Sequence, residues 1–164
     1  MKKVKDFMSR RVVYFKPSDT IFKAAKVFCK HRISGAPVVS STKSKKILGI
    51  VSESDIVKFV GNNLCSKHLS MDLNSTSMTL IIFNLLRLGK SRFDFKKDLE
   101  KLSKIKIKDV MSDRVVSISP EDSILDAAEK MDKYDVNRLP VVSVGKLVGI
   151  IARADIVKAL VDKN

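Results

Sequence analysis

The sequence is poor in the residues on which enzymes and metal proteins usually depend. Its 164 residues include two cysteines, two histidines and no tryptophan. Cys29 and Cys65 do not have metal-binding spacing, and one pair of cysteines makes no disulfide framework. The sequence shows no Ser/His/Asp triad, no nucleophilic Cys/His pair and no P-loop. We therefore expect no catalytic residues and no metal site, and we expect Cys29, beside an apolar helical stripe, to be a buried, free thiol.

The sequence also lacks a long apolar run. The run from Met78 to Leu86 is interrupted by Thr79 and Asn84, and it is much shorter than the ~20 residues that cross a bilayer. The charged start, Lys2-Lys3, is not followed by the apolar core of a signal peptide. We therefore expect a cytoplasmic protein that does not contact a membrane.

Acidic residues are scarce relative to basic ones. The chain has 18 aspartates and glutamates against 32 lysines and arginines, which gives a formal net charge of +14 and a pI near 9.9. Basic residues cluster at positions 43–46, 87–97 and 101–108. Such a positive field attracts polyanions, so nucleic acid is one candidate partner. The alternative is that the charge only keeps the protein soluble.

What the sequence does contain is an internal repeat. Met8 and Met111 lie 103 positions apart, and the same offset aligns Val12-Val13 with Val115-Val116 and Ile21 with Ile124. All four prolines fall on this register, as the pairs Pro17 and Pro120, and Pro37 and Pro140. The first copy has three extra residues in a polar turn before Gly49. An insertion confined to a turn is what a structural duplication tolerates.

Each copy has the same order of predicted elements. A short extended segment, 12–15 or 115–118, precedes a helix with apolar residues at i, i+3, i+4 and i+7. These stripes are Ile21, Ala24, Ala25 and Phe28 in one copy, and Ile124, Ala127, Ala128 and Met131 in the other. A buried strand beginning at Pro37 or Pro140, a turn, a second strand and a closing helix follow. The pattern predicts two β-α-β-β-α units and hence an α/β (α+β) fold.

The second strand of each copy ends in a short polar motif. It reads Gly-x-x-Ser-x-x-Asp in the first copy, with Ser52 and Asp55, whereas Ala152 and Asp155 occupy these positions in the second. A hydroxyl and a carboxylate are thereby placed at the N-terminus of the closing helix. An aspartate there can cap the helix, or it can bind a ligand. Recurrence of the whole pattern favours a ligand role in addition to the cap.

These motifs resemble those of the CBS domain, a module named for cystathionine β-synthase. The matching segments are Val4–Met8, Ile33–Val39 and Gly49–Asp55, and again Ile107–Met111, Val136–Val142 and Gly149–Asp155. The resemblance implies a tandem pair, or Bateman module, in which two CBS units pack as a pseudo-symmetric pair. It assigns residues 1–60 and 105–164 to CBS domains and leaves 61–104 as an insert. Such pairs commonly form homodimers.

The resemblance also implies a regulatory sensor of AMP, ADP, ATP or S-adenosylmethionine, bound between the two CBS domains and read by a separate effector protein. A cofactor is not expected. The first expected site consists of Ser52, Asp55, Ile50, Met111, Val116, Val136, Asn137 and Arg138. The second consists of Asp155, Ile150, Met8, Val13, Ile33, Ser34 and Gly35. Arg138 matches a phosphate-binding arginine in the γ subunit of AMP-activated kinase, so the Asp55 site is expected to be the better equipped. The alternative is a nucleic-acid-binding or scaffold protein with degenerate sites.

The insert is expected to be helical. Met78, Ile81, Ile82, Leu85 and Leu86 form one apolar stripe, and Phe95, Leu99 and Leu102 form another. We expect a helical hairpin that provides either the dimer contact or the surface on which ligand occupancy is read.

Overall fold

The computed structural model describes residues 2–62 and 100–162, which belong to two compact units. The Asp155 unit consists of Met1–Tyr14, Ala36–Ile50 and Asp113–Asn164. The Asp55 unit consists of Phe15–Gly35 and Val51–Ser112. Each unit therefore combines segments from both halves of the chain. The division into domains at residues 60 and 104, by contrast, stays a prediction.

The helices and strands follow the repeat. The helices are α1 (Val4–Phe7), α2 (Ile21–His31), α3 (Glu53–Val60), α4 (Ile124–Lys133) and α5 (Arg153–Val161), and Ile107–Asp109 form a short 3-10 helix. The strands are β1 (Gly35–Val39), β2 (Ile47–Ser52), β3 (Arg138–Ser143) and β4 (Lys146–Ala152). They form two two-stranded sheets, β1-β2 and β3-β4. The predicted mixture of helix and strand, with its repeated order, is confirmed.

The first strand predicted in each repeat is much shorter than expected. Ile118 forms a single parallel bridge with Val141. Its N–H donates to the Pro140 carbonyl at 3.0 Å, and its carbonyl accepts from the Val142 N–H at 2.8 Å. The chain turns at Pro120, only two residues later. Pairing is therefore limited to one residue, and the segment is extended without being a strand.

The predicted apolar stripes form the buried faces of α2 and α4, with exceptions that follow from helix geometry. Ile21, Ala24 and Phe28 are buried in α2, and Ile124, Ala127 and Met131 are buried in α4. Ala25 is exposed. Cys29 is also exposed, so the expectation of a buried thiol is wrong. Cys29 follows Phe28 directly, and successive residues lie about 100° apart around a helix, which takes its side chain off the stripe.

The core of the Asp155 unit lies between α4, α5 and the β3-β4 sheet. Its buried residues are Val4, Ile118, Ile124, Ala127, Met131, Leu139, Val141, Ile151 and Ala159. In the Asp55 unit, the rings of Phe15 and Phe28 meet edge to face, with centroids 5.7 Å apart. Ile107 is fully buried in the same unit. Both units thus have apolar interiors that fix the strand ends described below.

The leading segment of the chain packs within the Asp155 unit, on the turn that precedes α4. Val4 N–H donates to the Asp122 carbonyl at 2.9 Å, and Lys5 N–H donates to the Pro120 carbonyl at 3.0 Å. Val4 is fully buried there. A segment from the first repeat therefore completes the core around the second repeat.

The Asp55 unit contains the same arrangement 103 residues later. Ile107 N–H donates to the Asp19 carbonyl at 2.8 Å, and Lys108 N–H donates to the Pro17 carbonyl at 3.2 Å. The leading segment of each repeat thus packs on the turn that precedes the first helix of the other repeat. This exchange explains why the units do not coincide with the sequence repeats.

The first helix expected in the insert, over 78–86, lies outside the described residues, as does most of the second. Residues 100–104 are helical, and Leu102 is buried. Within residues 2–62 and 100–162, the helices are all too short or too polar to span a bilayer.

Candidate functional site

In the Asp55 unit, the junction of β2 and α3 is closed by a full capping box. Asp55 Oδ2 accepts from the Ser52 N–H at 2.8 Å and from the Ser52 hydroxyl at 2.6 Å. In return, Ser52 Oγ accepts from the Asp55 N–H at 3.2 Å. The box fixes the carboxylate at the start of the helix. Because no described residue bonds to Oδ1, that oxygen remains able to accept from a ligand hydroxyl.

The corresponding junction in the Asp155 unit has half of this box. Asp155 Oδ2 accepts from the Ala152 N–H at 2.9 Å, but Ala152 has no hydroxyl with which to complete the cap. Oδ1 lies 3.6 Å from Lys158 Nζ, one turn along α5. Sequence reasoning missed this lysine, although the i, i+3 spacing of an acid and a base on a helix is a signal for it. Asp155 therefore keeps the backbone half of the Asp55 cap and has a lysine beside its second oxygen.

The backbone at Ser34 and Gly35 lies directly against the Asp55 junction. The Ser34 carbonyl accepts from the Glu53 N–H at 3.0 Å. A Cβ added to Gly35 would lie 3.1 Å from the Val51 carbonyl oxygen and 3.3 Å from the Cα of Ser52. Glycine at position 35 avoids this crowding and lets two backbone segments approach closely. Ser34 and Gly35 thus belong with Ser52.

At the equivalent position of the other repeat stands an arginine. Arg138 is paired directly with Ala152 across the β3-β4 sheet, and the Asn137 carbonyl accepts from the Arg153 N–H at 3.1 Å. Arg138 corresponds to Gly35 in the repeat, and its side chain is partly buried. Ser52 therefore lies beside Gly35 at the Asp55 junction, whereas Ala152 lies opposite Arg138 at the Asp155 junction.

Met8 packs against the strand that leads to Asp155. A Cβ added to Gly149 would lie 2.5 Å from Met8 Sδ, which shows how closely the thioether approaches the backbone. Ser9 and Ile150 exchange two backbone hydrogen bonds, of 2.9 and 3.0 Å. Met8 is partly buried against the core, as are Val116 and Val136. The exchanged leading segment therefore brings Met8 and Ile150 together in the Asp155 unit.

A profile of the CBS domain matches residues 4–62 and again residues 107–162. These ranges contain both junctions, both exchanged segments and well over half of the chain. The chain belongs to the CBS domain family. The family resemblance expected from the sequence is therefore confirmed for both copies.

The chain is also similar to individual proteins of known sequence or structure. It is 36% identical to the uncharacterized protein MJ1426 of Methanocaldococcus jannaschii, over 96% of this chain and 90% of that protein. Its structure is similar to that of Arabidopsis thaliana CBSX2 in complex with AMP, with a TM-score of 0.65, 24% identity and coverage of 98% and 96% of the two chains. It is also similar to the CBS domain pair of MJ0100 in complex with 5′-methylthioadenosine and S-adenosyl-L-methionine, with a TM-score of 0.63, 22% identity and coverage of 98% and 96%. These similarities confirm the fold of a CBS pair.

The two structural units divide the predicted site residues differently from the two sites expected from the sequence. The Asp55 unit contains Ser52, Asp55, Met111, Ile33, Ser34 and Gly35. The Asp155 unit contains Asp155, Ile150, Met8, Val13, Ile50, Val116, Val136, Asn137 and Arg138. Met8 and Met111 lie with the aspartates to which the sequence assigns them.

The difference concerns residues 33–35 and 136–138, which the sequence assigned to the opposite aspartates. Each CBS repeat folds its two strands as one hairpin, so the start of its first strand lies beside the end of its second. Arg138 consequently lies opposite Ala152, in the unit that contains Asp155. The expectation that Arg138 serves the Asp55 site, and makes that site the better equipped, stays a prediction.

Proposed function

We propose that this protein is a non-catalytic regulatory module that binds an adenosine-containing ligand at the helix N-termini marked by Asp55 and Asp155. The observation that carries the proposal is the repeated capped aspartate. In both junctions Oδ2 is engaged by the backbone of the preceding strand, so the carboxylate is held in place. A fixed carboxylate suits the two vicinal hydroxyls of a ribose, which both need an acceptor.

The ligands of two structural neighbours support the choice of adenosine. CBSX2 is in complex with AMP, and the MJ0100 pair is in complex with 5′-methylthioadenosine and S-adenosyl-L-methionine. These three molecules share an adenosine and differ at its 5′ end. The candidates for this chain are accordingly AMP, ADP, ATP and S-adenosylmethionine.

The two junctions differ in a way that bears on the 5′ end. The Asp155 unit has Arg138 opposite Ala152, and a guanidinium suits a phosphate because it presents paired donors. The Asp55 junction has the Ser52 hydroxyl and the close backbone at Gly35 instead. We infer that the phosphate-bearing ligands favour Asp155 and that Asp55 favours ligands without a 5′ phosphate.

The proposal is tested by thermal unfolding with each of the four ligands. A ligand at about 100 times its Kd stabilises the folded state by about 2.7 kcal/mol, which for a chain of this size raises Tm by about 5–10 °C. We expect at least one ligand to do so. Asp155→Ala is expected to remove the shift caused by AMP, ADP or ATP, and Asp55→Ala the shift caused by S-adenosylmethionine.

Asp126→Ala is the matched control. Ser123 and Asp126 form a capping box with almost the same geometry, with Asp126 Oδ2 accepting at 2.9 Å from the Ser123 N–H and at 2.7 Å from its hydroxyl. This box begins α4, whereas the two junctions begin α3 and α5. A variant that only loses a cap should be less stable and still respond to ligand. If all three variants respond as the wild type does, the aspartates do not bind ligand and the proposal fails.

We infer that occupancy is transmitted to a separate effector through a change in conformation or in homodimer assembly. A ligand shifts such an equilibrium only by its different affinity for the two states. Small-angle scattering of the protein with and without the stabilising ligand tests this step. A change in radius of gyration or in mass is expected, and identical curves at saturation would rule out both forms of transmission.

A further inference from the structure

The hairpin turns are a basic surface that the two ligand junctions do not use. The β1-β2 hairpin, residues 35–52, contains Lys43, Lys45 and Lys46 in its turn, and the β3-β4 hairpin, residues 138–152, contains Lys146 in its turn and the junction residue Arg138 at its start. Neither range contains an aspartate or a glutamate. All 18 acidic residues of the chain therefore lie outside the two hairpins, and the hairpins contain no negative side chain to balance their positive charge.

The longer of the two turns is ordered by its own serines. Ser44 N–H donates to Ser41 Oγ at 3.0 Å, and the hydroxyls of Ser40 and Ser44 lie 2.6 Å apart. Lys45 N–H donates to the Ser41 carbonyl at 3.0 Å. The three residues that the first repeat has in excess therefore form a structured turn, and Lys43 and Lys45 within it are exposed.

The two hairpins meet at their lysines. Lys46 and Lys146 face each other as an antiparallel bridge pair, and Leu147 N–H donates to the Lys45 carbonyl at 3.0 Å. Like charges directly opposite each other destabilise a strand pair. In residues 2–62 and 100–162, no carboxylate forms an ion pair with Lys43, Lys45, Lys46 or Lys146. An external anion would offset this repulsion.

A cavity of about 280 Å³ opens beside this lysine pair, within the Asp155 unit. It is lined by Lys46, Ile47, Leu48, Asp113, Val115, Ser117, Val142 and Gly145. Its lining is mixed, with four aliphatic side chains beside one ammonium, one hydroxyl and one carboxylate. Lys45 Nζ also lies 6.0 Å from the centre of the Tyr14 ring. Exposed lysines close together, with an aromatic ring near one of them, are features with which proteins hold the phosphates of a nucleic-acid strand.

We propose that the paired hairpin turns, Lys43, Lys45, Lys46 and Lys146 with the adjoining cavity, bind the phosphate backbone of single-stranded nucleic acid. The lysines extend beyond the cavity, so they match successive phosphates better than one phosphate group. The net charge of +14 adds long-range attraction for a polyanion. This surface is independent of the adenosine ligand, because it lies at the opposite end of β2 and β4 from Ser52 and Ala152.

The test is fluorescence anisotropy of a labelled 20-nucleotide oligo(dT), titrated with the full chain at several salt concentrations. Lys46→Gln/Lys146→Gln is compared with Lys26→Gln/Lys30→Gln, a pair of exposed lysines one turn apart on α2 that removes the same charge. We expect the hairpin pair to weaken binding at least tenfold and to lower the slope of log K against log salt by about 1.4, which is two phosphate contacts on a single strand. The α2 pair should change affinity less than twofold.

Three results would overturn the proposal. Equal weakening by both pairs would mean that overall charge, and not this surface, attracts the strand. Absence of binding by the wild type at about 50 mM salt, where phosphate contacts bind strongly, would mean that the lysines serve no strand. Saturable binding of inorganic phosphate or AMP at the hairpin lysines without strand binding would mean a site for a small anion. Asp55→Ala/Asp155→Ala should leave strand binding unchanged, so failure of the adenosine proposal and failure of this one are distinguishable.

Discussion

At the scale of single residues, each junction has a carboxylate that caps a helix and that we propose also binds the ligand. Oδ2 of Asp55 closes a cap with Ser52, and Oδ2 of Asp155 keeps the backbone half of the same cap with Ala152. Capping and ligand binding are therefore compatible readings of the motif. The sequence could not separate them, because both need an aspartate at the third position of a helix.

The missing hydroxyl at position 152 gives a prediction of stability. Ala152→Ser places a hydroxyl where Ser52 has one, and a serine cap in place of alanine is worth about 1 kcal/mol. We expect the free energy of unfolding to rise by about that amount in urea titrations. Ser52→Ala is the reciprocal change and should lower it by about 1 kcal/mol. A neutral or destabilising Ala152→Ser would contradict the reading of the Asp155 junction as a half-complete box.

Gly149 gives a second prediction, on packing. Its added Cβ would lie 2.5 Å from Met8 Sδ and 3.1 Å from the Ser9 carbonyl oxygen. We expect Gly149→Ala to destabilise the protein by about 1–3 kcal/mol, the usual cost of overpacking, in urea unfolding. In a Met8→Ala background the cost should be smaller, since the thioether is gone and only the backbone contact remains. Equal costs in the two backgrounds would show that Met8 does not occupy this position.

At the scale of elements, the exchanged leading segment is held by charge as well as by burial. Lys3 Nζ and Lys5 Nζ lie 2.6 and 2.8 Å from the carboxylate of Glu121. Hydrogen bonds from Lys3 and Lys5 lower the pKa of Glu121 from 4.5 to about 2. Because its folded pKa lies below the unfolded one, ionised Glu121 favours the docked segment above pH 4.5, and this contribution is lost as the pH falls towards 2.

We therefore predict that Glu121→Gln lowers stability at neutral pH and that its difference from the wild type shrinks on acidification. The effect should be small, since the three side chains are exposed. Urea unfolding at a series of pH values between 7 and about 3 measures it. Glu129→Gln, at an exposed position of α4, controls for the loss of one acid. A difference for Glu121→Gln that stays constant across the series would contradict the ion pair.

The elements themselves were largely predictable, and their exchange was not. Periodicity identified α2 and α4, and the Ser-x-x-Asp motif located the start of α3, because these signals are local. Docking of Val4 on Asp122, and of Ile107 on Asp19, depends on long-range backbone bonds that leave no local pattern. The assignment of residues 33–35 and 136–138 to the opposite aspartates rests on the family resemblance and not on a local pattern, and it stays a prediction.

At the scale of the whole molecule, two CBS copies have diverged in complementary ways. The first has the hydroxyl of Ser52, the glycine at position 35 and the longer, lysine-rich turn. The second has Arg138 opposite Ala152 and a short turn. A duplicated module whose two junctions differ can bind two different ligands, or it can bind one ligand with different affinities at its two sites. This asymmetry follows from residues within each unit.

The most direct test of the account is isothermal titration of AMP into the wild-type protein and into Asp55→Ala/Asp155→Ala, with Asp126→Ala as the capping control. We expect saturable micromolar binding to the wild type and to Asp126→Ala, and loss of binding in the double aspartate variant. Binding that persists in a folded double variant would contradict a ribose role for the aspartates. Absence of heat from AMP, and then from ADP, ATP and S-adenosylmethionine, would contradict the adenosine function itself.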